Sequence, residues 1–373
     1  MSSTVFHPRP LARPYPRRDF IKFLGIAATA TSVNSLAAQA TVPAPRLALG
    51  LDAHSVRAMG WKARQLIDYA AEQKLDAVLF NTLRPLESLE PAHLRALRET
   101  AAARGLRINV GVGSVVEGST VFTKEHGNAE TLLGLGVRVA TELGSPVVNC
   151  RIGALPDRST PGGIEARVAE LLKTLKAVRS RAIDAGVKFA VENHAGDLRS
   201  EELLQLIQAA GTDVVGVMLD PGNAVWAMED PMKQLELLGP HVLCTSVRDW
   251  MVWESPEGAT FQWTALGEGL MDVPAFIGLM QRHCPAAPLH LEIISNSPRP
   301  IPFLQRDHWK VYPNTRAADI ADFLALCRRG RPLELVKAPA GNDAKTFERQ
   351  YQRAEFERSV AFARRHGVGL KTI

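Results

Sequence analysis

The chain has 373 residues, of which 46% are hydrophobic and 22% are charged, and its formal net charge is +5. This composition is that of an ordinary globular protein, with one large domain or two medium ones. Residues 1–40 carry five basic residues against one acidic residue and hold four of the five net positive charges. The remainder is nearly neutral, which argues against a basic nucleic-acid-binding face.

The N-terminal segment has the pattern of an export signal. Adjacent Arg17 and Arg18 precede an apolar stretch over residues 23–36, and Ala38-Gln39-Ala40 follows. This order is typical of a twin-arginine signal with an A-x-A cleavage site. The apolar stretch is short and rich in Ala, Thr and Ser, so it is a poor membrane span. We predict that residues 1–40 are removed and that the mature protein is periplasmic or otherwise exported, without a stable membrane anchor; a basic leader is the alternative.

From residue 46 onward, short apolar runs alternate with helical patterns, which implies a parallel sheet. Eight such units are typical of a single-domain (β/α)8 TIM barrel, predicted here over residues 46–335 with a helical extension over 336–373. An open doubly wound sheet is the alternative, but the turn after the first strand lacks G-x-G-x-x-G. The predicted strands are 47–51, 77–80, 108–112, 147–150, 189–191, 215–219, 242–247 and 289–294, and the predicted helices are 63–72, 91–104, 129–143, 164–185, 200–210, 231–238 and 273–283.

Two regions depart from this repeat. Residues 250–263 place alternating aromatic and polar residues on both sides of Ser-Pro-Glu-Gly, which predicts a hairpin after strand seven. Residues 295–313 are proline-rich and are predicted to form a loop. Residues 315–327 and 348–365 are predicted helices that serve as scaffold or as the surface of a homo-oligomer.

Three apolar strands end in a carboxylate. Glu192 ends strand five, Asp220 ends strand six and Glu292 ends strand eight. In a barrel these side chains face one opening, where three unneutralised carboxylates repel one another strongly. A divalent metal is the simplest neutralising group: oxygen ligands suit Mg²⁺ or Mn²⁺, and an imidazole would favour Mn²⁺, Co²⁺ or Zn²⁺. The alternative is that each acid caps a helix or pairs with an arginine.

The motifs VENHAGD, GVMLDPGN, SVRDW, LGEG and LHLEII occur in this order at strand ends. Together they resemble the sugar isomerases and epimerases of the xylose-isomerase-like TIM-barrel superfamily, over residues 46–329. The resemblance implies a metal held by four groups from strands five to eight, and Glu192, Asp220 and Glu292 match three of them. Ser246 stands where the family has a histidine. Because serine is a poor metal ligand, the metal affinity is open, and His194 or Asp249 could compensate.

The resemblance also implies the chemistry, which is proton abstraction next to a carbonyl. Glu192 and Glu292 would then be the base and acid pair, and the metal would stabilise the enediolate. The predicted substrate-binding residues are His194, Asn223, Arg248 and Trp226. Their structural alternatives are a hydrogen bond for His194, an ion pair with Asp249 for Arg248, and hairpin packing for the tryptophan.

An exported enzyme without a phosphate-binding glycine loop suggests an unphosphorylated sugar or sugar derivative as substrate. Two alternatives remain open: a lyase or dehydratase that begins with the same proton abstraction, and an exported sugar-binding protein without activity. A DNA-repair endonuclease, also found in the superfamily, is disfavoured because the chain lacks histidines at strand ends and a basic mature charge.

Overall fold

The computed structural model describes residues 45–341 and 343–371, so the predicted export signal lies outside the described residues. Within them, the strands are short, buried and rich in branched apolar residues, as expected for strands covered on both faces. In chain order they are β1 (Leu49–Asp52), β2 (Ala77–Phe80), β3 (Arg107–Ser114), β4 (Val147–Arg151), β5 (Lys188–Glu192), β6 (Val215–Leu219), β7 (Val242–Thr245), β8 (Asp249–Ser255), β9 (Gly258–Thr264), β10 (Leu289–Leu291) and β11 (Arg299–Ile301).

The helices lie between these strands and bury one apolar face each. Many begin at a polar cap: the Asn128 side chain, for example, accepts a hydrogen bond from the Thr131 N–H at the start of α3. The helices are α1 (Ala63–Glu72), α2 (Pro91–Ala103), α3 (Ala129–Leu143), α4 (Gly163–Ala185), α5 (Ser200–Ala210), α6 (Pro221–Trp226), α7 (Pro231–Leu238), α8 (Val273–His283), α9 (Ala321–Arg329) and α10 (Ala344–Arg365). Within the described ranges, no helix is both long enough and apolar enough to span a bilayer.

Eight strands form one parallel sheet in the order β10-β1-β2-β3-β4-β5-β6-β7. The two ends of this sheet meet beyond β7, where the Val247 N–H donates to the His290 carbonyl at 2.7 Å. The Glu292 N–H in turn donates to the Val247 carbonyl at 3.0 Å. The predicted single-domain (β/α)8 barrel is therefore confirmed, and its helices surround the nearly closed sheet.

The predicted hairpin is also confirmed, because β8 and β9 pair antiparallel over their whole length. The prediction of a loop over residues 295–313 is wrong in part, since β11 joins the outer edge of β9. Pro300 lies inside β11, and a proline is tolerated there because an edge strand leaves one row of N–H groups unpaired. Helix α6 was not predicted because Pro221 and Gly222 resemble helix breakers. The residues predicted as a helix over 315–327 form a 3-10 turn, Ala317–Ile320, followed by α9.

Candidate active site

Three carboxylates meet at the carboxyl end of the barrel. Glu192 is the last residue of β5, whereas Asp220 and Glu292 directly follow β6 and β10. One oxygen atom of each lies within 4.8 Å of the others. All three residues are buried, with 6%, 0% and 7% of their surface exposed. The barrel thus brings together the three acids that the sequence predicts for one site.

Asp220 is fixed by the helix that follows it. It is the N-cap of α6, and one of its oxygens accepts a hydrogen bond from the Asn223 N–H at 3.1 Å. The side-chain amide of Asn223 donates to the other oxygen. Burial raises the pKa of Asp220 to about 6 despite these donors. The predicted substrate residue Asn223 therefore orients Asp220.

A buried arginine joins two of the three carboxylates. The Arg248 Nη2 contacts Asp220 Oδ2 and lies 2.6 Å from Glu292 Oε2. Its Nε lies 3.3 Å from the second oxygen of Asp220, and the residue is 2% exposed. Burial disfavours the charge on Arg248, but the two carboxylates hold its pKa above the ordinary value. Asp249 is not its partner, because that carboxylate accepts four backbone N–H groups, among them those of Gly267 and Gly269.

Ser246 connects the site to a fourth acid. Its hydroxyl oxygen lies 3.0 Å from Asp52 Oδ2 and 2.9 Å from Glu292 Oε2. A hydroxyl has one hydrogen to donate, so it satisfies both contacts only when one of the carboxyl groups carries a proton. Burial, followed by the negative charge of Glu292, raises the pKa of Asp52 well above its usual range. Because the pKa of Glu292 is lowered, Asp52 is the carboxyl group that favours this proton.

The two glutamates predicted as base and acid differ electrostatically. Burial raises the pKa of Glu192 well above its usual range, although Arg151 Nη1 lies 3.6 Å from its carboxylate and opposes the shift. Burial also acts on Glu292, but Arg248, His54 and the Ser246 hydrogen bond outweigh it and lower the pKa of Glu292. Two neighbouring carboxyl groups with opposite shifts are an arrangement suited to acid–base chemistry.

The other two predicted substrate residues, His194 and Trp226, do not contact the three carboxylates in the same way as Asn223 and Arg248. His194 Nδ1 contacts the carbonyl oxygen of Gly153, and burial holds the pKa of His194 well below its ordinary value. The ring is therefore neutral, and Nε2 remains as a hydrogen-bond acceptor. Trp226 packs into an aromatic cluster, with its ring centroid 5.4 Å from Phe261 and 5.7 Å from Trp263.

A small cavity adjoins the site. It has a volume of about 190 Å³ and lies beside the ends of β2, β3 and β4. Arg151 lines this cavity and also pairs with Glu192, so one residue connects the cavity to the acids. Thr82, Ser114 and His126 also line this cavity.

The sequence analysis missed Asp52 and Arg151 as members of the site. Both have the signature that identified the three acids, because each is the last residue of its strand. A rule that selects every charged residue at a strand end, basic as well as acidic, identifies both Asp52 and Arg151.

The donor set of the site matches part of what a divalent cation requires. Three carboxylates with oxygens this close match its preference for oxygen ligands. Ser246 does not add a ligand, since its hydroxyl already lies between Asp52 and Glu292. The three carboxylates fit a cation by their chemistry, but Arg248 already contacts the oxygens of Asp220 and Glu292.

Known proteins show the same fold. The profile of a family described as xylose isomerase-like TIM barrel matches residues 67–325. The chain belongs to the xylose isomerase-like TIM barrel family. The barrel resembles a crystal structure of D-psicose 3-epimerase in the presence of D-fructose, with a TM-score of 0.56 and 16% identity over 87% of this chain and 100% of that one. It also resembles the IolI protein with a bound zinc atom, with a TM-score of 0.53 and 15% identity over 74% of this chain and 99% of that one.

Two curated relatives are similar in sequence. The uncharacterized protein YihM of Escherichia coli is 24% identical over 216 residues, or 54% of this chain and 66% of that protein. The 3-oxo-isoapionate decarboxylase of Pectobacterium atrosepticum is 24% identical over 213 residues, or 57% of this chain and 65% of that protein. The chain thus spans just under two thirds of the length of these relatives.

Proposed function

We propose that this family member catalyses proton abstraction next to a carbonyl group of an unphosphorylated sugar or sugar derivative, as an isomerase or epimerase. The observation that carries the proposal is the convergence of Glu192, Asp220 and Glu292 within 4.8 Å at the carboxyl end of the barrel. This is the face on which TIM-barrel enzymes place their catalytic residues. Epimerases that act on D-psicose share the fold.

In this proposal Glu192 and Glu292 transfer the proton. They approach the reacting carbon from different strands, and each is buried enough to exclude bulk water. Ser246 and Asp52 hold Glu292 in place, while Arg151 holds Glu192. His194 offers Nε2 to a substrate hydroxyl.

Glu192, Asp220 and Glu292 would hold the divalent metal, which could be Mn²⁺, Mg²⁺, Co²⁺ or Zn²⁺. When bound, the ion supplies positive charge against the negative charge that develops on substrate oxygen atoms. A bound zinc atom in the IolI protein, which shares the fold, supports this part of the proposal. The carboxylate of Asp220 has a fixed orientation toward the metal position, because α6 and Asn223 hold it by hydrogen bonds.

A second candidate is a lyase that begins with the same proton abstraction. One of the two curated relatives is named 3-oxo-isoapionate decarboxylase, and this favours bond cleavage next to a carbonyl. Both candidates require the same two glutamates. They differ in the second step: an isomerase or epimerase returns the proton to carbon, whereas a lyase breaks a further bond and releases a leaving group.

The experiment uses keto-sugars and 3-keto-glycosides in deuterated water, with NMR detection and with or without Mn²⁺. We expect the wild-type protein to introduce deuterium next to the carbonyl, and E192Q to reduce exchange by about 10²-fold or more because it removes a general base. The control is E201Q, which changes an exposed acid at the start of α5 and should exchange at the wild-type rate. Exchange that survives in E192Q would exclude Glu192 as the essential base. Release of a leaving group from the substrate, such as water, an alcohol or carbon dioxide, would favour the lyase.

We further propose that the enzyme acts outside the cytoplasm after removal of residues 1–40. The twin-arginine pattern is the support for this placement.

A further inference from the structure

Arg248 occupies the space between two of the three proposed metal ligands. Its Nη2 contacts Asp220 and lies 2.6 Å from Glu292, and its Nε lies 3.3 Å from Asp220. A cation that bound the same oxygens of Asp220 and Glu292 would lie within contact distance of this guanidinium. Two positive charges at that distance repel each other strongly in a buried site.

The position of Arg248 is built into the fold. Its guanidinium carbon lies 3.9 Å from the ring centroid of Trp263, whose indole N–H donates to the Gly222 carbonyl at 2.9 Å. A Cβ atom at Gly222 would lie 2.6 Å from Arg248 Cγ and 2.8 Å from Trp263 Nε1. The glycine of the DPGN motif therefore leaves the room in which the arginine reaches the acids.

This position does not satisfy the whole guanidinium. Within the described part of the chain, Arg248 Nη1 is buried and has no hydrogen-bond partner. A buried donor without an acceptor is unfavourable by about 1–3 kcal/mol. The two carboxylates and the tryptophan therefore hold the arginine in place. The unpaired Nη1 makes this position less favourable, so the guanidinium can leave when another cation binds the carboxylates.

We infer that Arg248 is the resident cation of the active site, and that its guanidinium and a divalent metal occupy Asp220 and Glu292 alternately. This inference rests on the proposed metal site. Without metal, Arg248 neutralises the acids and keeps the site assembled. Metal binding requires the guanidinium to leave them, so the protein binds metal more weakly than the same three carboxylates would alone.

The test is a titration of the full chain with Mn²⁺, with free Mn²⁺ measured by electron paramagnetic resonance. R248Q is expected to bind Mn²⁺ at least about tenfold more tightly than the wild type, because the competing charge is removed. R248Q should also unfold at a lower temperature without metal and gain more from added Mn²⁺ than the wild type does.

The matched control is R299Q. Arg299 also lies over Trp263, 4.3 Å from its ring centroid, but no ion pair joins it to a carboxylate in the described residues. Its removal changes the charge near the same tryptophan without freeing Asp220 or Glu292. The Mn²⁺ affinity of R299Q should therefore stay within about threefold of the wild-type value.

Equal Mn²⁺ affinity in the wild type and R248Q would overturn the inference and leave the proposed metal site intact. Failure of both proteins to bind Mn²⁺ would overturn the inference and the metal site together. If R248Q does not fold, R248M decides: methionine can pack against Trp263 but carries no charge, so its Mn²⁺ affinity should also rise. Wild-type affinity in R248M would then overturn the inference.

Discussion

At the scale of single residues, Asp220 has two duties that a substitution can separate. It caps α6 through the Asn223 N–H, and it contributes charge to the carboxylate cluster. Asparagine is as good an N-cap as aspartate but carries no charge. Asp220 is therefore the residue at which helix capping and metal binding can be distinguished.

We predict that D220N loses bound metal while α6 keeps its cap, and that D220A loses both. Elemental analysis of the purified proteins measures the metal, and thermal unfolding measures the stability. D220A should be less stable than D220N by about 1 kcal/mol for the lost cap. Metal content equal to that of the wild type in D220N would remove Asp220 from the ligand set.

Some residues of the site could be predicted from the sequence, and others could not. Glu192, Asp220 and Glu292 were predictable because an acid that ends a buried strand is rare without a role. The pairing of Arg248 was not predictable, since it depends on how β6 and the end of β10 approach it in space. Asp249 is adjacent to Arg248 in sequence, but its carboxylate accepts backbone N–H groups instead of pairing with the arginine.

At the scale of elements, the barrel strands depend on a close contact in the interior. Gly50 of β1 lies opposite His290 of β10 in the parallel register. A Cβ atom at Gly50 would lie only 2.3 Å from the His290 ring, which is fully buried. Gly50 thus makes space inside the barrel for the imidazole of the strand that leads to Glu292.

We predict that G50A destabilises the protein by about 1–3 kcal/mol, because an interior that is already full must shift. Urea unfolding gives the free energy of unfolding. The control is G278A, which adds a methyl group to α8 where no atom lies within 4 Å. G278A should raise stability by about 0.5–1 kcal/mol through helix propensity. A G50A protein as stable as the wild type would show that His290 moves freely.

Periodicity explains which elements could be predicted. Strands β2 and β6 and helices α1, α3, α5, α7 and α8 have the predicted bounds, because their apolar spacing and caps agree. Two short elements, α6 and β11, were not predicted. Helix α6 depends on the cap at Asp220 more than on apolar spacing, and β11 pairs through its backbone at an edge.

At the scale of the whole molecule, the N-terminal prediction can be tested separately from the barrel. We predict that a reporter fused behind residues 1–40 is exported by a bacterial host, and that replacing Arg17 and Arg18 together by lysine blocks export, because the twin-arginine receptor reads that pair. Fractionation of cells locates the reporter. The control replaces Arg9 and Arg13 by lysine, which keeps the same charge outside the motif and should leave export unchanged. Export that survives the Arg17 and Arg18 exchange would contradict a twin-arginine signal.

The C-terminal segment connects both ends of the barrel. Helix α10 covers the turn after β1, where the Gln352 side chain accepts a hydrogen bond from the Ala58 N–H at 2.9 Å. Phe356 of the same helix is fully buried. Beyond the helix, the Gly369 N–H donates to the Leu47 carbonyl at 2.8 Å, just before β1. The extension therefore holds the strand that carries Asp52.

We predict that deletion of residues 336–373 lowers the urea midpoint and that F356A alone costs about 3–5 kcal/mol, because it empties a fully buried aromatic site. The control is K345A, at an exposed position of α10, which should change stability by less than about 0.5 kcal/mol. If F356A were as stable as K345A, the extension would be an appendage instead of part of the barrel core. Helix α10 packs on the turn that follows Asp52. The deletion should therefore also lower the rate at which the enzyme introduces deuterium into the substrate, and by more than F356A does.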